Sequence, residues 1–168
     1  MSLCRHLQLW LVFLVLAAGC SREPSGYSER HLGAFGLDLT LLVPDSAQVQ
    51  VKEYGPIRDF TVSDGGRFSL QIFEFQSPTG DTAGEKLRQL NTARQDPLFR
   101  EIVREDDHGF IYAMQADSVS VDYDFRYVRM IGDRELIFQT GLVGRYALED
   151  VERMYAAAAE SRTGTSGQ

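Results

Sequence analysis

The sequence predicts an α+β domain in which an antiparallel β-sheet is flanked by a central and a C-terminal helix. Apolar and polar residues alternate over most of residues 35–160, as they do in strands that bury one face. The segments 64–66 (Asp-Gly-Gly) and 132–133 (Gly-Asp) join alternating segments as hairpin turns. Two further segments change to helical spacing, and helices that cover the sheet complete this class of fold.

The domain is predicted to open with four strands. Their apolar members recur at every second residue and are Leu37, Leu39 and Leu41, then Val49 and Val51, then Phe60 and Val62, then Phe68, Leu70 and Ile72. The first strand ends at Val43-Pro44-Asp45, and the glycine turn at 64–66 joins the last two.

A central helix is predicted to follow these strands. Thr82 and Glu85 have the spacing of a capping box, so the helix should begin at Thr82. It should end before Asp96-Pro97, because proline disfavours helical geometry in the preceding residue. The residues that fall at helical spacing are Ala83, Leu87, Leu90 and Arg94.

More strands and a C-terminal helix complete the predicted domain. One strand has Phe110, Tyr112 and Met114 on one face, a longer one has Val119, Val121, Tyr123, Phe125 and Tyr127, and another spans residues 136–143. The last helix is amphipathic, with Leu148, Val151, Met154, Tyr155 and Ala158 on its apolar face. Acidic residues in its first turns suit the positive end of the helix dipole.

This order of elements resembles that of PsbP-like domains, including an opening Leu37-x-Leu39-x-Leu41 strand that ends in Val43-Pro44-Asp45. The resemblance spans roughly Phe35 to Glu160. It implies an α/β/α sandwich around an antiparallel sheet and a binding or assembly role. It assigns no functional residue.

The first twenty residues predict export. Arg5 precedes the apolar segment 9–16, and small residues at 17–19 follow it, which is the layout of a secretory signal peptide. The apolar segment is shorter than the roughly 20 residues that a membrane-spanning helix needs. The motif Leu-Ala-Ala-Gly-Cys at 16–20 resembles the lipobox of bacterial lipoproteins. That resemblance implies cleavage after Gly19 and acylation of Cys20; an ordinary signal peptide with a chance cysteine is the alternative.

The lipoprotein resemblance sets the predicted organisation of the chain. Residues 1–19 would be the signal peptide, 20–34 the lipidated cysteine and a flexible tether, 35–160 the single domain and 161–168 a disordered tail. The tether is predicted from Pro, Gly, Ser and charged residues without an apolar period. Because Ser21 replaces the aspartate that retains lipoproteins at the inner membrane, the resemblance implies the periplasmic face of the outer membrane.

The net charge of the predicted mature chain argues against two classes of binding partner. The predicted mature chain carries 16 basic and 24 acidic residues, since Arg5 is the only Lys, Arg, Asp or Glu of the leader. The resulting net charge of −8 argues against nucleic acid, whose phosphates require a positive field, and against polybasic binding to anionic lipid. Cys4 would be lost with the leader, so an acylated Cys20 would leave no thiol for a disulfide or a nucleophile.

Two acidic clusters are candidates for chemistry. Asp122 and Asp124 lie on one face of a predicted strand about 7 Å apart, a spacing that suits Ca²⁺ or a general acid/base pair. The alternative is a solvated polar face with Arg126 alongside. Asp106-Asp107-His108 combines carboxylates with a histidine, but consecutive residues of a turn cannot all ligate one ion. We interpret this second cluster as a turn.

A partner-binding surface is the third candidate. Tyr123 and Tyr127 alternate with Arg126 and Arg129 along the predicted strand, and Tyr and Arg are frequent in binding hot spots. The alternative is an aromatic stripe that belongs to the core.

The predicted function is non-catalytic. The chain has no G-x-S-x-G motif, and Gly65-Gly66 precedes a predicted strand instead of the helix of a phosphate-binding loop. We expect an envelope lipoprotein, held at the membrane through Cys20, whose domain binds a partner protein or small ligand without a cofactor. The alternatives are a Ca²⁺-dependent binder or hydrolytic enzyme that uses Asp122, Asp124 or His108, and a structural spacer.

Overall fold

The alternating segments fold as strands of two antiparallel sheets in the computed structural model, which describes residues 26–77, 79–115 and 119–164. The strands are β1 (Tyr27–His31), β2 (Thr40–Pro44), β3 (Gln48–Tyr54), β4 (Ile57–Ser63), β5 (Ser69–Gln76), β6 (Phe99–Glu105), β7 (Gly109–Met114), β8 (Asp122–Ile131) and β9 (Arg134–Thr140). The helices are α1 (Thr82–Arg94) and α2 (Leu148–Ala159), and a 3₁₀ turn spans Gly33–Phe35. The predicted α+β class is confirmed.

The main sheet consists of two parts that are each local in sequence. Its strand order is β3-β4-β5-β9-β8-β7-β6, while β1 and β2 form a separate two-stranded sheet. The two parts meet only where β5 pairs with β9, which we call the β5–β9 seam. Across this seam Arg134 donates a hydrogen bond to Glu74, which lies 60 residues earlier in the chain.

The two helices cover opposite faces of the main sheet. Along β7, Ile111 lies in the large core with α2 and the two-stranded sheet. Phe110 and Tyr112 point the other way, into a smaller core with Leu90 and Ala93 of α1. The predicted apolar face of α2 is confirmed at Val151, Met154, Tyr155 and Ala158, which are buried. The result is an α/β/α arrangement.

The helix α1 begins at Thr82 as predicted, but its N-cap and its buried face differ from the prediction. The N-cap is Asp81 instead of Thr82, because the Asp81 carboxylate accepts a hydrogen bond from the Gly84 amide at 2.9 Å. Leu87 is 55% exposed, and Ala83 also faces solvent. The buried residues of α1 are Glu85, Leu90 and Ala93. Arg88 donates two hydrogen bonds to the Glu85 carboxylate, at 2.6 and 2.7 Å. Because its charge is paired in this way, Glu85 can lie on the buried face of the helix, where the sequence pattern predicts apolar residues.

Secondary structure extends beyond the predicted domain at both ends. β1 lies within the predicted tether and pairs with β2 along its whole length. In the predicted tail, Ser161 is buried, and Arg162 exchanges two backbone hydrogen bonds with Thr40 at 2.7 and 3.0 Å. Cys20, residues 21–25 of the predicted tether and residues 165–168 lie outside the described residues. Within the described part of the chain, no helix is long and apolar enough to cross a membrane.

The loops lie at two ends of the sheet. The proximal end contains the turns 45–47 and 64–68 and the loop 141–147. Gly26 lies there, because its carbonyl accepts a hydrogen bond from the Asp45 amide at 2.9 Å, and the ring of Tyr27 packs edge-on against Phe68. The distal end contains the 3₁₀ turn and the turns 55–56 and 132–133.

Candidate functional site

The four residues predicted to bind a partner do not form one surface. Tyr127 is buried beside Tyr155 in the large core, and Tyr123 packs against the same core. Arg126 lies on the opposite face of the sheet, and Arg129 donates hydrogen bonds to carbonyl oxygens at the end of α2. Tyr127 is thus a core residue, while Tyr123, Arg126 and Arg129 are half-buried and make contacts within the fold.

Asp124 is buried and is not part of a solvated face. Its Oδ1 accepts from the hydroxyl of Thr140 at 2.6 Å, and its Oδ2 accepts from Tyr112 at 2.8 Å and from Arg126 at 2.6 Å. Burial alone would lower the pKa of Arg126, but the Asp124 carboxylate outweighs burial and raises it. Burial, reinforced by Asp124, raises the pKa of Tyr112. Arg126 is thus charged and Tyr112 neutral at physiological pH, and the carboxylate is satisfied by its own fold.

Asp122 does not share this environment. Its carboxylate accepts from Arg145 at 2.8 Å near the surface. Among the described residues, no group of three or more His, Cys, Asp or Glu side chains could hold a metal ion. Each member of the predicted carboxylate pair is instead held by an arginine.

The cluster Asp106-Asp107-His108 forms the turn between β6 and β7. The Asp106 carboxylate accepts from the amides of His108 and Gly109 at 3.1 and 3.0 Å and from the Tyr155 hydroxyl at 2.6 Å. Burial alone would raise the pKa of Asp106, but these donors outweigh it and lower the pKa. The Lys86 ammonium of α1 donates to the Asp106 carbonyl. The turn thus connects both helices to the sheet, in agreement with its interpretation as a turn.

The clearest candidate site lies at the distal end, around Glu74. This carboxylate is 3% exposed and accepts from Arg58 and, at 2.7 Å, from Arg134. Arg58 also donates to the Gly36 carbonyl at 3.0 Å and lies over the ring of Phe60. A cavity of about 460 Å³ opens here. Its lining includes Gly36, Gly55, Pro56, Arg58, Phe75 and Arg134, and we call it the distal groove.

The strand register builds this site. Arg58 of β4 lies directly opposite Glu74 of β5, and Arg134 starts β9 on the other side of β5. Each of the three residues stands two positions from a buried apolar residue on its strand: Phe60, Ile72 and Leu136. A charged residue in phase with an apolar face requires a partner when buried. Charged residues at apolar positions can be recognised in the sequence. The sequence does not show which strands lie next to each other, and therefore not which charges pair.

The distal groove offers hydrogen-bond donors. Glu74 accepts hydrogen bonds from two guanidinium groups and therefore holds both of them in place. The Arg134 side chain is 53% exposed, and within the described part of the chain Glu74 is its only hydrogen-bond partner. Its remaining N–H groups can donate to a carboxylate or a carbonyl of a ligand. Pro56 adds an apolar residue to the same lining.

Comparison with models of known protein families found no match, and comparison with curated proteins found none either.

Proposed function

We propose that this chain is a lipid-anchored protein of a bacterial cell envelope whose α+β domain binds a partner without catalysing a reaction. The observation that carries the proposal is the distal groove, with its pre-oriented arginines at the opposite end of the sheet from Gly26. A chain tethered through residues before Gly26 would present that groove to partners. The lipobox motif at Cys20 supports the anchor, and Ser21 favours the outer membrane.

The lining of the distal groove indicates what kind of partner fits. Glu53 and Glu74 balance the charges of Arg58 and Arg134, so the groove does not favour a polyanion. Arg134 offers donors for a single acceptor group, and Pro56 offers an apolar contact. A peptide segment that brings one carboxylate or backbone carbonyl together with an apolar side chain meets these requirements. The PsbP-like resemblance also favours a binding or assembly role.

The anchor is tested by fractionation and by the intact mass of the purified protein. Wild-type protein should be recovered in the membrane fraction with an acyl mass on Cys20. Cys20→Ser should give a folded protein that is released from membranes. A Cys20→Ser variant that still fractionates with membranes, or a wild-type protein without acyl mass, would contradict the anchor.

The distal groove is tested by site-specific photocrosslinking in living cells. A photoreactive residue at Gln76, which lines the groove, should give a discrete adduct; one at Leu87, exposed on α1, should not. Arg134→Ala should abolish the Gln76 adduct, while Arg134→Lys, which keeps the charge, should retain part of it. Thermal unfolding of each variant controls for loss of fold. Identical adducts from both positions, or an adduct unaffected by Arg134→Ala, would contradict binding in the groove.

A further inference from the structure

The proximal end carries exposed apolar side chains on a fixed loop. Leu142 and Val143, between β9 and α2, are 77% and 92% exposed. The Gly141 amide donates to a carbonyl at the start of β5 at 2.7 Å, and the buried Tyr146 donates its hydroxyl hydrogen to the Val143 carbonyl at 3.3 Å. The backbone is thus held on both sides of the two side chains, which point away from the core.

The chain enters the fold beside this loop. The backbone amide of Asp45 donates a hydrogen bond to the carbonyl of Gly26. The next residue, Ser46, lines a cavity of about 400 Å³ together with Val143. Five residues, 21–25, separate Cys20 from Gly26, so the connection reaches at most about 20 Å. β8 alone has ten residues and is about 33 Å long. A lipid on Cys20 would therefore hold the proximal end closer to the bilayer than the distal end.

Two arginines near the proximal end are paired with carboxylates. Arg67 pairs with Asp150, and Arg145 pairs with Asp122. The predicted mature chain is also acidic overall, which disfavours attraction to anionic lipid. Attraction of this end to a membrane would therefore depend on its apolar side chains and not on positive charge.

We infer that Leu142 and Val143 insert into the interfacial region of the bilayer that carries the Cys20 anchor, so that the distal groove faces away from the membrane. This inference rests on the proposed lipid anchor. Exposed apolar side chains partition into the boundary between headgroups and acyl chains, and a neighbouring covalent lipid removes the cost of reaching it. A second contact of this kind fixes the orientation of a domain that one lipid alone would leave free to rotate.

The test uses a tryptophan as a depth probe. The sequence has a single tryptophan, Trp10, in the predicted leader, so the mature protein would have none. Leu142→Trp places the probe in the loop, and Tyr54→Trp places it at the distal end, where Tyr54 is 55% exposed. Each full-length variant is purified from membranes, its acyl mass is measured, and it is reconstituted into phosphatidylcholine vesicles with or without brominated acyl chains.

We expect Leu142→Trp to show blue-shifted emission and several-fold stronger quenching by brominated lipid than Tyr54→Trp. Addition of phosphatidylglycerol should leave this difference unchanged. Equal quenching of the two variants in acylated, vesicle-bound protein would overturn the inference while leaving the anchor intact. Quenching that requires phosphatidylglycerol would also overturn it, because the contact would then depend on charge. Absence of acyl mass on Cys20 would overturn both the anchor and the inference.

Discussion

Asp124 and Asp59 are both buried on the sheet face opposite the large core, but the donors around them differ. Asp124 accepts hydrogen bonds from two side-chain hydroxyls, from Arg126 and from backbone amides. Asp59 accepts one from Gln71 at 2.9 Å, and its other carboxylate oxygen is buried without a partner among the described residues. A buried acceptor without a donor costs free energy, whereas a fully bonded ion pair is costly to break.

The two aspartates should therefore respond oppositely to the same substitution. Asp124→Asn should lower the free energy of unfolding by about 3 kcal/mol, because it leaves Arg126 buried without its counter-charge. Asp59→Asn should leave that free energy unchanged or raise it by up to about 1 kcal/mol, since an amide costs less to bury than a poorly bonded carboxylate. Urea denaturation of the two variants and the parent measures this difference. Equal losses in the two variants would contradict the argument.

At the scale of elements, the turn between β6 and β7 connects α1 and α2 to one corner of the sheet. The contact to α2 is the hydrogen bond from Tyr155 to Asp106. The pKa of Asp106 in the folded protein lies below its ordinary 3.8, because the donors around the carboxylate outweigh its partial burial. A lowered carboxyl pKa stabilises the fold above the unfolded-state pKa, and this contribution is lost as pH falls through the folded-state pKa.

Tyr155→Phe tests this pH dependence. The variant should be less stable than the parent by about 1 kcal/mol at pH 6, because a hydrogen bond to a charged acceptor is lost. The difference should shrink as pH falls below 3.8, where Asp106 becomes protonated. Tyr146→Phe is the matched control, since Tyr146 donates to the neutral carbonyl of Val143 and its loss should not depend on pH. Thermal unfolding between pH 2 and 7 measures both; parallel curves for the two variants would contradict the prediction.

Elements with regular periods could be predicted from the sequence, and elements without them could not. The glycine hairpin and the apolar face of α2 follow from local pattern, because each buries residues at a constant spacing. β6 was not predicted because its pairing with β7 shifts register twice, which breaks the period of two. β1 has one apolar residue, Tyr27, in five and is held by β2. The distal groove depends on strands that are distant in sequence, which no local pattern specifies.

At the scale of the whole molecule, both chain termini of the described fold lie on β2. β1 pairs with β2 from Tyr27 to His31, and Arg162 exchanges backbone hydrogen bonds with Thr40 of the same strand. Arg129 also donates to the Ser161 carbonyl. The segment after α2 therefore belongs to the domain at least as far as Arg162.

Truncation distinguishes this segment from a dispensable tail. A stop after Ala159 should lower the free energy of unfolding by about 2 kcal/mol, because several backbone and side-chain hydrogen bonds are lost together. A stop after Gly164, which removes only residues 165–168, should leave that free energy unchanged. Chemical denaturation of the two truncated proteins provides the measurement. Equal stability of both would show that the contacts of Ser161 and Arg162 contribute little.

The β5–β9 seam has a consequence for how the chain acquires its fold. The strands on either side can form by short-range closures, but the seam joins residues such as Gln71 and Gln139 that lie 68 apart in sequence. Closing so long a loop carries an entropic cost that precedes any gain from pairing, so long-range strand pairing is slow. In the export that we propose for this chain, which would proceed from the N-terminus, β5 would emerge well before β9. Its Leu70 and Ile72 would remain without their final neighbours until β9 arrives, and exposed apolar strands of this kind are prone to aggregate.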